Sequence, residues 1–199
     1  MRVKTEARRQ AILAAAAEAF RELGVEGTSM SALAARLGGS KSTLYAYFSS
    51  KEELVLEILL ATGEKQGMAS LAHIDNATDV RAGLIAFGTN YLTFITAPDT
   101  VAILRIAIAE GGRSDLGRQF FARGPGLFVD HLSGTMERLI DLGALRPGKP
   151  RLMAQQLKAL FEAESTDKLL FGLGIATSQA ALEELATNAV DGFLAMCGS

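Results

Sequence analysis

With 199 residues, 49% of them hydrophobic, and only four prolines, the chain has material for a helical core and length for a small domain joined to a larger one. No run approaches the roughly 20 apolar residues of a membrane helix, and the start Met-Arg-Val-Lys-Thr-Glu-Ala-Arg-Arg carries charge where a signal peptide needs an apolar stretch. The expectation is a soluble, cytoplasmic protein.

One cysteine, Cys197, excludes an intrachain disulfide framework, and His73 and His131 lack the paired spacing of a metal site. No metal and no cofactor is expected. Net charge is −2, but it is unevenly spread. Residues 1–51 hold eight Lys/Arg (Arg2, Lys4, Arg8, Arg9, Arg21, Arg36, Lys41, Lys51) against four acids (Glu6, Glu18, Glu22, Glu26); the rest hold 12 basic and 18 acidic groups. A basic head on an acidic body is the asymmetry of a protein that brings one end to phosphate.

In chain order, Ile12, Ala15, Ala16, Ala19, Phe20 and Leu23 form one stripe of a first helix, Thr5 to Leu23, with Gly24 as its left-handed terminator. Thr28 and Ser29 supply hydroxyls to cap a short second helix whose Leu33, Ala34 and Leu37 face inward. Gly38-Gly39 break the chain, and Ser40 caps a third short helix through Tyr47. Ser50-Lys51-Glu52-Glu53 is a capping box that starts a long fourth helix toward Leu71. Further helices are predicted over Asp79–Thr96, Asp99–Glu110 and Leu116–Arg123, then from Pro125 to Asp141, from Pro150 to about Gly172, and from Thr177-Ser178 to Met196. The fold class is all-α, with about nine helices: a three-helix head over 1–52 and a helical body over 53–199.

A short helix, a glycine turn and a second short helix are what a helix-turn-helix requires, the second helix entering the major groove. The candidate DNA contacts are Thr28, Ser40, Lys41, Ser42, Thr43, Tyr45, Tyr47 and Lys51: hydroxyls, phenols and ammonium groups that reach phosphates or base edges. Which read bases and which hold phosphates stays open. No arginine lies on the recognition helix to fork onto guanine, which favours modest, shape-dependent readout.

The string from Thr28 to Leu54, TSMSALAARLGGSKSTLYAYFSSKEEL, resembles the signature of TetR/AcrR-family regulators, as do Arg9-Gln-Ala-Ile-Leu and Ala19-Phe-Arg-Glu-Leu-Gly for that family's first helix. Gly39 departs from it where an aliphatic residue usually packs under the turn, and Ser42 where glycine is frequent. The segments Arg105-Ile-Ala-Ile-Ala-Glu110, Phe120-Phe-Ala-Arg-Gly-Pro-Gly126 and Gly143-Ala-Leu-Arg-Pro147 are similar to the AefR-like subgroup's C-terminal domain. The resemblance implies a body that dimerises through its last two helices and encloses an effector pocket.

On that basis the interface candidates are Leu157, Leu160, Phe161, Glu164, Lys168 and Phe171 on one helix and Leu182, Leu185, Ala186, Val190 and Phe193 on the other. Ordinary core is the competing reading for these stripes. Pocket candidates are Phe87, Tyr91, Phe94, Arg105, Phe120, Phe121, Phe128, His131 and Met136, bulky apolar walls with a few polar tips. The partners expected are a palindromic double-stranded operator, a second copy of the chain and a small-molecule effector, with no membrane. An architectural co-regulator with a fully packed middle is the alternative; an enzyme is not expected, because no Ser/His/Asp set or phosphate loop is present.

Overall fold

Serine caps and left-handed glycines set the helix boundaries of the N-terminal third in a computed structural model that describes residues 5–75, 77, 79–111 and 115–199. Helix α1 (Glu6–Gly27) runs past the expected stop at Leu23. It breaks at Gly24, whose φ of 72° suits a residue without Cβ, and then continues for one more turn. The Thr28 hydroxyl donates to the Gly24 carbonyl at 2.9 Å and lies 3.4 Å from that of Ala19, so it closes the helix end.

Helix α2 (Met30–Arg36) is capped by Ser29 and α3 (Lys41–Tyr47) by Ser40, with Gly38 at φ 60° turning the chain between them. Helix α4 (Lys51–Asp75) begins with Ser50 accepting from the Glu53 N–H at 3.1 Å. The Glu53 carboxylate reaches back to Ser49, not Ser50, and takes its N–H and its hydroxyl at 2.6 Å each.

Beyond these lie α5 (Val80–Ile95), α6 (Pro98–Gly111), α7 (Leu116–Phe121), α8 (Leu127–Asp141), α9 (Pro150–Glu162), α10 (Thr166–Leu170) and α11 (Gln179–Cys197). The fold is all-α, with eleven α-helices among the described residues where about nine were expected. Beyond the end of α1, two further boundaries differ from expectation in kind. Pro125 does not start a helix: α7 runs into α8 through one π-helical turn, Ala122–Gly126, which absorbs the bond that proline cannot donate. The helix expected from Pro150 to Gly172 is two, because Ser165 leaves helical geometry (φ −124°, ψ −52°) and turns the chain back toward α6.

Two apolar cores meet along α4. The head core joins Ile12, Phe20, Leu33, Leu44 and Phe48 to Leu54–Leu60, and extends to Ile103, Ala107 and Phe120 of α6 and α7. The body core collects α5, α8, α9 and α11 around Leu84, Phe87, Leu132, Met136, Leu157, Phe161, Val190 and Phe193. Helix α5 comes so close to α9 that a Cβ on Gly88 would lie 2.2 Å from the Phe161 ring. Cys197 is buried in this core, and its carbonyl accepts from the Arg146 N–H at 3.0 Å. No single helix among the described residues is long and apolar enough to cross a membrane.

Candidate nucleic-acid interface and interior cavity

Helix α3 turns Leu44 and, just past its end, Phe48 into the head core, which leaves Lys41, Ser42, Tyr45 and Ala46 on the open face. The Lys41 ammonium sits 5.8 Å from the centre of the Tyr45 ring, so the charge and the phenol are presented together. Ser40 Oγ accepts from the Thr43 N–H at 3.2 Å and lies within 2.7 and 2.9 Å of the Ser42 and Thr43 hydroxyls, which holds these side chains in one cluster at the helix start. The Tyr47 phenol is turned away from that cluster and accepts from the Thr5 N–H at 3.2 Å. Lys51 is half-buried at the start of α4, where the Ser49 N–H and the Glu53 N–H already have partners.

Thr28 stands apart from the other candidates. It is buried, with its hydroxyl turned to α1 carbonyls, so it braces the motif from inside. At Gly39, Arg8 of α1 reaches across the turn and donates to the Leu37 carbonyl at 3.4 Å, over the place where a larger side chain would sit. Arg36 lies on the far side of α2, held by both oxygens of Glu22 at 2.6 and 2.8 Å.

Glu57 joins head to body. Its side chain is only 12% exposed, and it receives Arg9 of α1 and Arg123 of the π-helical turn, the latter through both guanidinium nitrogens. Burial pushes its carboxyl up, but the hydrogen bonds from Arg123 and then Arg9 outweigh burial and hold it below the ordinary value. Arg9 also lies 5.3 Å over the Phe48 ring, at the end of α3.

A cavity of about 280 Å³ opens between α4, α5, α6, the α7–α8 turn and α9–α10. Its walls are mostly apolar: Leu59, Leu60, Gly63, Gly67 and Leu71 from α4, with Phe94, Leu104, Phe120, Leu127, Phe128 and Leu170 from the others. Of the nine expected pocket residues it brings together Tyr91, Phe94, Phe120, Phe128 and His131. Phe87 lies behind the wall, stacked on Phe128 at 5.9 Å, and Met136 is deeper in the core. Phe121 points outward at 64% exposure. Arg105 is outside as well, because it donates to the carbonyls of Leu169 and Leu170 that end α10.

Sequence reasoning missed the α4 wall, although Gly63 and Gly67, four apart, are a readable sign of a hollowed helix face. It also missed a polar cluster on the cavity wall. The Tyr91 hydroxyl donates to Glu162 Oε1, and Lys158 Nζ binds the same carboxylate at 2.6 and 2.7 Å. Burial, together with the Glu162 charge and hydrogen bond, pushes ionisation of the Tyr91 phenol well above its ordinary value.

Of the interface candidates, Leu157, Phe161, Leu182, Ala186, Val190 and Phe193 lie in this chain's own core, since the apolar stripe of each helix faces inward. Leu160 and Leu185 are half-buried, and Glu164 and Lys168 are exposed; Glu164, Lys168 and Leu185 border a shallow hollow with Ile175 and Asn188. Phe171 is 86% exposed.

The family model of bacterial regulatory proteins of the tetR family matches residues 12–58, and that of the AefR-like transcriptional repressor C-terminal domain matches residues 82–198. The HTH-type transcriptional regulator YfiR of Bacillus subtilis, itself uncharacterized, is 31% identical over 150 residues, which span 72% of this chain and 71% of that protein. The crystal structure of a protein described as a TetR-family transcriptional regulator, from Mesorhizobium loti, superposes with a TM-score of 0.83 at 27% identity, covering 98% of this chain and 100% of the other. The flavonoid-responsive regulator FrrA superposes with a TM-score of 0.69 at 29% identity over 98% of each chain.

Proposed function

The chain belongs to the TetR family of transcriptional regulators, and from that premise we propose that it is a homodimeric repressor released from a palindromic operator when a small, largely apolar effector enters the cavity. The observation that carries this reading is the double use of α4. Leu54, Val55, Leu56, Leu59 and Leu60 of that helix belong to the head core, while Leu59, Leu60, Gly63, Gly67 and Leu71 wall the cavity. An architectural co-regulator would need a filled middle, so the cavity favours the effector reading. The likeness of the C-terminal part to a repressor domain supports the sign of regulation, and the flavonoid-responsive neighbour supports response to a small molecule.

Lys41, Ser42 and Tyr45 face the groove: the ammonium takes a phosphate, and the serine hydroxyl and the phenol take sugar-phosphate or base edges. A second copy docks on the outward sides of α9 and α11, which carry Leu152, Ala159 and Ala163 on the one and Leu185, Gly192 and Met196 on the other. Two heads then reach half-sites about 34–36 Å apart. Effector acts only through its differential affinity for two body conformations. A ligand that moves Arg123, which lines the cavity, also moves Glu57 and with it Arg9 under α3.

Selection from randomised duplexes with the purified full chain tests this reading. The expected result is enrichment of inverted repeats, bound by two copies per duplex. Leu185→Arg should bind the same sites as a monomer, and more weakly. Enrichment of single half-sites by wild type, or of no sequence at all, would overturn it.

A further inference from the structure

We propose that the cavity selects an effector that is apolar except for one neutral hydroxyl or carbonyl, and that Thr166, with Tyr91, Lys158 and Glu162, anchors that group. The inference rests on reading the cavity as the effector site. Four observations carry it.

First, all four residues line the cavity, and most of its remaining lining is apolar. The remaining polar lining is Ser70, Asn90, Thr100, Glu64, Arg123 and His131; Asn90, Glu64, Arg123 and His131 are exposed, and Arg123 is already taken by Glu57. Secondly, the cluster is internally neutral. Lys158 and Glu162 sit at 2.6 Å and cancel, and the Tyr91 phenol stays protonated. A third charge brought against that pair would lose its hydration without a counter-ion, whereas a neutral dipole would not.

Thirdly, the cluster has unused hydrogen-bonding capacity. Tyr91 donates to Glu162, which leaves its oxygen lone pairs to accept; Lys158 gives two hydrogen bonds to one carboxylate and retains a further N–H. Fourthly, among the described residues the buried side-chain atoms without a hydrogen-bond partner are Ser165 Oγ and Thr166 Oγ1. Ser165 is sealed in the α9–α10 break, but Thr166 borders the cavity. A buried hydroxyl left unmade is costly, and folded proteins rarely keep one without a use. As the side chain stands, Thr166 Oγ1 has no surface open to the cavity, so rotation about the Cα–Cβ bond is what brings it to the lining, where the ligand's polar group supplies the partner.

Naphthalene, 2-naphthol, 2-naphthoate and 2-naphthylmethylammonium, titrated calorimetrically into the full chain at neutral pH, separate the possibilities. An apolar cavity without an anchor favours naphthalene over 2-naphthol, because the hydroxyl must be dehydrated. With the anchor, 2-naphthol binds about tenfold more tightly than naphthalene, as one well-made buried hydrogen bond allows, and more tightly than either ion. Thr166→Val removes that advantage and leaves naphthalene unchanged; Thr166→Ser retains it. The valine variant should melt no lower than wild type, since it removes an unpartnered hydroxyl.

Equal or tighter binding of either ion overturns the proposal. So does an unchanged naphthol preference in Thr166→Val, which would mean that water alone serves this hydroxyl. If naphthalene binds as well as 2-naphthol, the anchor fails and the effector cavity stands. If no probe binds, both fall together.

Discussion

The head and the body share α4 but hold their chemistry in different ways. In the head, the outward residues Lys41, Ser42, Tyr45 and Ala46 come from a single seven-residue helix, and their placement follows from the Ser40 cap. In the body, one polar contact on the cavity wall links Tyr91 to Glu162, 71 positions apart. A local surface can change without disturbing the core beneath it. A cavity wall is also the core, so each change there is felt as stability and as shape at once.

The largest effect should come from Phe161→Ala. Phe161 is fully buried, tilted against Phe87 at 5.9 Å and Tyr91 at 6.1 Å, directly over Gly88. Losing the ring should cost about 3–5 kcal/mol and lower the melting temperature by roughly 6–20 °C for a chain of this size. Gly88→Ala alone should cost about 1–3 kcal/mol, since its methyl meets the ring. In the Phe161→Ala background the same methyl enters vacated space, and its cost should nearly vanish. Additive losses across that double-mutant cycle would show that α5 and α9 do not meet there as described.

Glu57→Gln tests the joint between the two regions. The folded carboxyl is held low, so its stabilisation is present above the ordinary carboxylate range and is lost as pH falls through the lowered folded value. The pair lies between an exposed and a buried one, with Glu57 12% exposed and Arg123 52%. The loss at pH 7 should be about 1–2 kcal/mol. Denaturant unfolding from pH 7 to pH 3 should show wild type and variant converging toward acid. A gap that stays constant would mean that the ionised carboxylate contributes nothing.

These contrasts also explain what was legible in the sequence. The boundaries of α2, α3 and α5 could be read because Ser29, Ser40 and Asp79 each bond to an N–H two or three residues ahead. Thr28 was misplaced because a hydroxyl beside a helix start has a second use, here the carbonyls ending α1. The apolar stripes of α9 and α11 stand in the sequence as interface candidates with ordinary core as the competing reading; periodicity does not say whether they bury against this chain or another, and most bury here. The outward side of α11, with Asn188, Gly192 and Ala195, carries no such signal. In sequence, Lys158 and Glu162, four apart, do not differ from an ordinary solvated helix pair. Only the arrival of Tyr91 from α5 makes them part of a wall. Arg105 likewise has the composition of a pocket tip, yet the break at Ser165 brings α10 carbonyls to it first.

The smallest effect, and the cleanest, is expected on the head. Lys41 and Tyr45 are exposed, and neither is part of the head core, so Lys41→Ala and Tyr45→Ala should leave the melting curve within about 0.5 kcal/mol of wild type. On the selected duplexes, Lys41→Ala should weaken binding similarly across sequences and flatten the dependence of log affinity on log salt by about one unit, the signature of one lost phosphate contact. Tyr45→Ala should leave the salt slope nearly intact if the phenol contacts sugar or base. Because the Lys41 ammonium rests over the Tyr45 ring at 5.8 Å, removing the ring also frees the lysine, and the double variant should lose less than the two single losses combined. Full additivity would mean that the two side chains reach DNA independently, and the local surface of the head would then be two contacts instead of one.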